Sequence, residues 1–148
     1  MSLEKYKIDY KTFKTMSLDL CKVLLPAIDY DRYSGVIAVL RGGMYLADYV
    51  SRKFNLPLFY YEVSSYTFEN KQGELISGIS SELPPSNYIL CDDIYDTGKT
   101  IDHIIKRFPD SLFCPVTLVS KQKNIPALYH TLIEDDYVWV EFPWEEVE

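Results

Sequence analysis

The stretch "YILCDDIYDTGKTI", residues 88–101, decides how this chain is read. A short apolar run ends in two adjacent aspartates, Asp92 and Asp93. A third, Asp96, follows, and then Thr97-Gly98-Lys99-Thr100. Residues 88–92 have the length and the bounding turn of a buried strand. Residues 100–108 read as a helix closed by Pro109. A strand that passes through a glycine-bearing acidic turn into a helix is a unit of an α/β sheet.

The same alternation runs outward in both directions. Residues 9–25 place Phe13, Met16, Leu20, Val23 and Leu24 at helical spacing, and Pro26 is expected to stop that helix. "GVIAVL", residues 35–40, reads as a buried strand. "RGG" follows, and then a helix over 44–54. Strands are expected at 57–63, 112–120 and 136–142. Residues 64–87 are polar, with Gly73, Gly78 and Pro84-Pro85. A loop of that length in a compact domain is usually functional or disordered, and it has room for a short hairpin. The fold class expected is α/β, a mostly parallel central sheet flanked by helices, in one domain over 1–148. Ligands of such sheets bind beyond the carboxyl ends of the strands, where both "RGG" and "DDIYDTGKT" fall. An ordinary strand-to-helix turn is the competing reading of each.

Composition narrows the function. Hydrophobic residues make up 47% and charged residues 25%, a globular balance. No apolar run approaches the about 18–20 residues of a membrane span. The opening "MSLEKYKIDYK" has no signal-peptide core, so a cytoplasmic location is expected. A net charge of -7 and a pI of about 4.8 argue against a nucleic-acid partner. Cys21, Cys91 and Cys114 lack metal-ligand spacing, and the last two read as buried free thiols. His103 and His130 are too scattered for a histidine metal site.

The opening stretch suits one chemistry better than others. Gly98-Lys99-Thr100 is not the end of a P-loop, because that spacing needs glycine at the position of Asp93. The order of acids is not that of an EF-hand. Residues 96–100 form a turn that opens a helix. Its free amides and the Thr97 and Thr100 hydroxyls suit a phosphate monoester. Asp92 and Asp93 lie where they would accept from a cis-diol, with room for Mg²⁺ shared with ligand oxygens. The combination suits a ribose 5-phosphate.

"ILCDDIYDTGKT" resembles the signature of type I phosphoribosyltransferases, which bind phosphoribosyl pyrophosphate (PRPP). "GVIAVLRGGMYLADYVSRKF" is similar to the family's pyrophosphate loop and following helix. "VSSYTFEN" resembles the start of its flexible catalytic loop, about 64–87. "DDYVWVEFPWE" resembles the C-terminal hood, about 121–148, of the bacterial xanthine-guanine branch. The resemblance implies that Asp92 and Asp93 contact the ribose hydroxyls directly or through Mg²⁺. It places Asp96 beside N7 of a purine base, to assist proton transfer; a helix N-cap is the alternative role. It assigns the 5-phosphate to Thr97, Gly98, Lys99 and Thr100, and the pyrophosphate to Arg41 and Gly42 after a cis Leu40–Arg41 peptide. Lys121 would read O6, against the common fate of a solvent-facing lysine. Trp139 would stack on the base and the Val140 carbonyl would accept from it, against plain core packing. Glu145 stands where the xanthine-guanine enzymes carry a Mg²⁺-binding aspartate, and is one methylene longer.

One departure stands out. The family's flexible loop carries a lysine where "GELISG" has Ile76 and Ser77, and Lys71 is the nearest basic residue. Ser65 and Tyr66 remain where the loop covers the site. The function implied is Mg²⁺-dependent transfer of phosphoribose from PRPP to a 6-oxopurine, in a homo-oligomer. The rivals are a non-catalytic PRPP sensor of the same fold and an enzyme for pyrimidines or orotate.

Overall fold

The computed structural model describes residues 4–63, 75–76 and 83–145. In chain order the elements are β1 (Glu4–Lys7), α1 (Tyr10–Ala27), β2 (Tyr33–Leu40), α2 (Met44–Phe54), β3 (Leu58–Val63) and β4 (Leu75–Ile76). Then come β5 (Asn87–Tyr95), α3 (Lys99–Arg107), β6 (Leu112–Ser120), β7 (Leu128–Leu132) and β8 (Val138–Glu141). A 3₁₀ turn, Pro143–Glu145, follows β8. The central sheet has the order β4-β3-β2-β5-β6-β7. β4 is antiparallel to β3 and every other neighbouring pair is parallel. β1 and β8 pair in parallel as a separate two-stranded sheet.

Strands β2, β5 and β6 are apolar on both faces because helices cover both. On one face Leu20 and Leu24 of α1 and Leu46, Ala47 and Val50 of α2 pack over the sheet, against Val36, Ile89, Cys91 and Leu118. On the other, Ile101 and Ile104 of α3 pack with Ile37, Val39 and Leu90. Helix α1 begins where Asp9 caps it, its Oδ1 accepting from Thr12 N–H at 2.7 Å. The expected α/β class and mostly parallel sheet are what the chain adopts.

Several expectations are corrected. Pro26 does not stop α1, which runs to Ala27. Proline in the last turn removes only one ladder bond, and the turn still closes through Ile28 N–H to Leu24 O at 3.1 Å. The strand over 136–142 is not the fifth of the main sheet; it is β8, shorter and paired with β1. The outer place beside β6 goes to β7, inside the stretch assigned to the hood. Both β1 and β7 escaped the sequence because neither is a buried apolar run: β1 is exposed throughout and β7 has no fully buried residue. In place of a hairpin inside 64–87, the one strand described there before β5, β4, pairs antiparallel with β3, which precedes the stretch. Residues 64–74 and 77–82, including Ser65, Tyr66, Lys71 and Ser77, lie outside the described residues.

The topology locates the crevice. From β2 the chain crosses to β3 on one side, and from β5 to β6 on the other. β2 and β5 are neighbours, so their C-terminal loops part at the switch point between them.

Candidate functional site

Register decides what meets at that crevice. Ala38 lies opposite Cys91, so Leu40 comes level with Asp93 and the residues after it fold across the end of β5. The Leu40–Arg41 peptide is cis, as the resemblance implied. Gly42 lies directly on the Asp93 carboxylate: a Cβ built on Gly42 would stand 2.0 Å from Asp93 Oδ2. Gly43 lies as close to the β5 backbone, its virtual Cβ 2.2 Å from Cys91 O and 3.0 Å from Asp92 Cα. Sequence reasoning assigned Gly42 and passed over Gly43, whose signal was the doubled glycine. Arg41 is exposed and makes no ion pair among the described residues.

Asp92 and Asp93 lie within β5, which runs on to Tyr95, and both are half-buried. Asp92 Oδ1 accepts from Asp93 N–H at 2.8 Å, and Asp93 Oδ1 from Ile94 N–H at 2.8 Å. No lysine, arginine or histidine pairs with either among the described residues. Burial pushes both carboxyls above the ordinary aspartate range, and for Asp92 the neighbouring Asp93 adds to the rise. Glu145, at the end of the 3₁₀ turn, is raised as well, first by its surroundings and then by the charge of Asp93. The three acids therefore share one field. Among the described residues no three His, Cys, Asp or Glu side chains form a metal cage. Magnesium in phosphate sites takes one or two carboxylates and completes its shell with water and substrate oxygens. An uncompensated carboxylate pair fits that mode of binding.

Beyond β5, Asp96, Thr97 and Gly98 turn the chain into α3. The N-cap is Gly98, at φ 81°, and not Asp96. A capping carboxylate at 96 stands too early in the turn. Instead the Asp96 side chain is exposed, and its backbone carbonyl accepts from Gln122 Nε2. Thr97 Oγ1 accepts from Lys99 N–H at 3.4 Å. Thr97 and Lys99 are exposed and Thr100 is half-buried. Apart from that long bond to Lys99 N–H, the first amides of α3 have no side-chain cap among the described residues, which leaves them open to an anion. Gly98→Ala is expected to lower stability by at least about 1–2 kcal/mol, the cost of a left-handed non-glycine residue. The new methyl would also stand 2.2 Å from the Tyr95 hydroxyl. Urea unfolding measures the loss, and an unchanged midpoint would refute it.

The side expected to face a base is built from β6 and β8. Tyr95 lies opposite Ser120, so Lys121 comes level with Asp96. Lys121 N–H donates to Tyr95 O at 2.8 Å. The Lys121 ammonium donates to Val138 O at 2.7 Å and Asp135 O at 2.9 Å. It is held against the edge of β8, with one of its three donors left over among the described residues. Tyr137 O and Glu141 O both accept from the β1 side, from Glu4 and Ile8 N–H. Alternation along the ladder then turns the Val138 and Val140 carbonyls to the opposite edge, toward Lys121. The Val140 side chain is core at 5% exposure, while Trp139 is 54% exposed. Gln122, which ties Lys121's loop to Asp96, was missed; its signal lay in the polar run "SKQK" just past a buried strand.

Comparisons with known proteins bear on the family and the fold. The phosphoribosyl transferase domain family matches residues 32–139. A xanthine-guanine phosphoribosyltransferase of Desulfotalea psychrophila is 29% identical over 80% of this chain and 74% of its own length. One of Idiomarina loihiensis is 27% identical over 97% of this chain and 89% of its own. Among solved structures, a purine phosphoribosyltransferase from Pyrococcus horikoshii superposes with a TM-score of 0.82 at 22% identity, covering 99% of this chain and 97% of that one. A xanthine-guanine-hypoxanthine phosphoribosyltransferase of Helicobacter pylori superposes at 0.78, with 21% identity, over 96% and 94%.

Proposed function

This chain belongs to the phosphoribosyl transferase domain family, and we propose that it transfers phosphoribose from PRPP to N9 of a 6-oxopurine in purine salvage, releasing pyrophosphate. The observation that carries the reading is the Asp92–Asp93 pair, set against Gly42 across the switch point and followed within a few residues by the uncapped start of α3. The relatives named above supply the purine class.

In this reading the α3 amides with Thr97 and Thr100 bind the 5-phosphate, and Gly98 keeps the turn open to it. Asp92 and Asp93 hold the ribose hydroxyls. Arg41 and the Gly42 amide receive the pyrophosphate. A carboxylate resting on that anion site would repel it, so the arrangement calls for a cation between them. Mg²⁺, held by Asp92 and Asp93 with Glu145 nearby, supplies charge neutralisation at the pyrophosphate when bound. The third Lys121 donor reads O6, the Val140 carbonyl accepts from the base, and Trp139 covers its face. Asp96 assists the proton that leaves the purine as N9 bonds to C1′. Positioning does most of the work, because the protein forms no covalent bond to substrate. An oligomeric assembly and a cytoplasmic location belong to the same proposal.

The test is a product assay with PRPP, Mg²⁺ and, separately, xanthine, guanine, hypoxanthine, adenine, uracil and orotate. Nucleotide from 6-oxopurines alone is expected. Asp96→Asn is expected to lower kcat about 100-fold, the low end of general acid–base effects, with PRPP affinity within about threefold. Unchanged turnover in that variant would remove Asp96 from the mechanism. PRPP binding without nucleotide from any base would favour the sensor reading.

A further inference from the structure

A row of aromatic rings behind the cleft has no part in the function described so far. Trp144 lies in the turn after β8. Its indole is stacked between Tyr45, at 4.3 Å and 7°, and Phe142, at 5.1 Å and 6°. Phe13 of α1 meets it edge-on, at 5.3 Å and 86°. The indole Nε1 is buried and has no acceptor among the described residues.

The two ends of this stack lead to the two ends of the site. Tyr45 is the second residue of α2. Met44 N–H donates to Arg41 O at 3.1 Å and Ala47 N–H to Gly43 O at 2.9 Å, so loop 41–43 and the first turn of α2 form one hydrogen-bonded piece. Phe142 directly follows β8, which carries Trp139 and the outward Val140 carbonyl. Glu145, in the field of Asp93, is the next residue after Trp144. The indole thus joins the turn after β8 to the first turn of α2, which is hydrogen-bonded to loop 41–43.

We propose that Trp144 is a positioning residue that locks β8 to loop 41–43, so that the base end and the pyrophosphate end of the cleft are set together. The inference rests on the transferase reading above. Close-packed rings transmit small displacements because there is no free volume to absorb them. Reacting groups tolerate little misplacement. Without the indole, β8 and α2 settle independently and both subsites loosen. A packing role alone would alter stability and leave the two subsites as they are.

The test uses Trp144→Leu, Trp144→Phe and Tyr45→Leu in the full chain. Tyr45 is 41% exposed, so its replacement is tolerated if the core variant does not fold. Steady-state KM values for PRPP and for the preferred base are measured at 25 °C. Binding of the product nucleoside 5′-monophosphate is followed by tryptophan emission, with and without magnesium pyrophosphate. The chain has two tryptophans, so in the Trp144 variants Trp139 reports on β8 alone. Trp144→Leu is expected to raise both KM values about tenfold and to abolish the coupling between nucleotide and pyrophosphate expected of the wild type. Trp144→Phe, which can still stack, stays within about threefold of wild type. Tyr45→Leu moves both KM values the same way by about threefold. A lower melting temperature with both KM values and the coupling intact overturns the proposal, as does a rise in one KM alone. A wild-type enzyme that makes no nucleotide overturns the transferase reading and this inference with it.

Discussion

Asp93→Asn is expected to melt higher than the wild-type protein at pH 7–8 and to have lost at least about 100-fold in turnover, a loss typical of removing a preorganised electrostatic group. The gain in stability follows from where the acid stands. Asp92 and Asp93 are adjacent, half-buried and without a basic partner among the described residues. Both carboxyls are raised above the ordinary range, chiefly by burial. A raised folded-state pKa means that the fold favours the protonated form. Below the unfolded aspartate pKa, about 3.9, the pair costs the fold nothing. As pH rises from there through the folded-state pKa, ionisation is easier in the unfolded chain and stability is lost. Asparagine cannot ionise, so it removes that loss where it is largest and changes little below about pH 4. It also keeps the acceptor that Ile94 N–H needs. Differential scanning across pH 3.5–8 reads the effect. A variant that melts lower at pH 8, or gains equally at pH 3.5, would show that the pair is not held in electrostatic strain. In the proposed function the turnover loss follows from the same acid, since the ribose hydroxyls and the cation site assigned to this pair would lose one carboxylate.

That trade explains what was legible in the sequence. Two acids at the end of an apolar run are costly for a fold, so residue type alone marks Asp92 and Asp93 as a candidate site. The parallel core was equally plain, because "GVIAVL", "YILC" and "VTLVS" are buried on both faces and are therefore largely apolar, the buried Thr117 and Ser120 hydroxyls bonding to backbone carbonyls. Elements held by pairing rather than burial were not. "EKYK" became β1 only because β8 lies beside it. Gln122 matters through a side-chain bond to the Asp96 carbonyl and Gly43 through its closeness to the β5 backbone, and neither partner can be read from residue type. Lys121 could be named but its setting could not, since its ammonium is fixed by the carbonyls of Asp135 and Val138, 14 and 17 residues further on.

Gly42→Ala is expected to lower kcat/KM for PRPP about 100- to 1000-fold, a loss larger than one methyl group usually brings. The reason is geometric. The new Cβ would stand 2.0 Å from Asp93 Oδ2, 2.4 Å from its Cγ and 2.9 Å from Oδ1, far inside contact distance. One side must move. Asp93 sits on a central strand between β2 and β6, with its carboxylate anchored to Ile94 N–H, so the strand does not give. Gly43 cannot follow the loop outward freely, because its N–H donates to Val39 O at 2.8 Å and its Cα lies against the Cys91 carbonyl. The displacement therefore falls on Arg41 and residue 42, the pair assigned to the pyrophosphate. A shift of about 1 Å in a reacting group costs on the order of 100-fold, and the Asp93 side chain is pushed as well. Stability should fall too, and an Asp93→Ala background isolates the cause. With the carboxylate gone the methyl has room, so Gly42→Ala should cost much less stability there than in the wild type, a coupling read by a double-mutant cycle. Equal costs in the two backgrounds would mean that the glycine is needed for the bend of the chain and not for its approach to Asp93. Near wild-type turnover in the single variant would show that loop 41–43 does not carry the pyrophosphate.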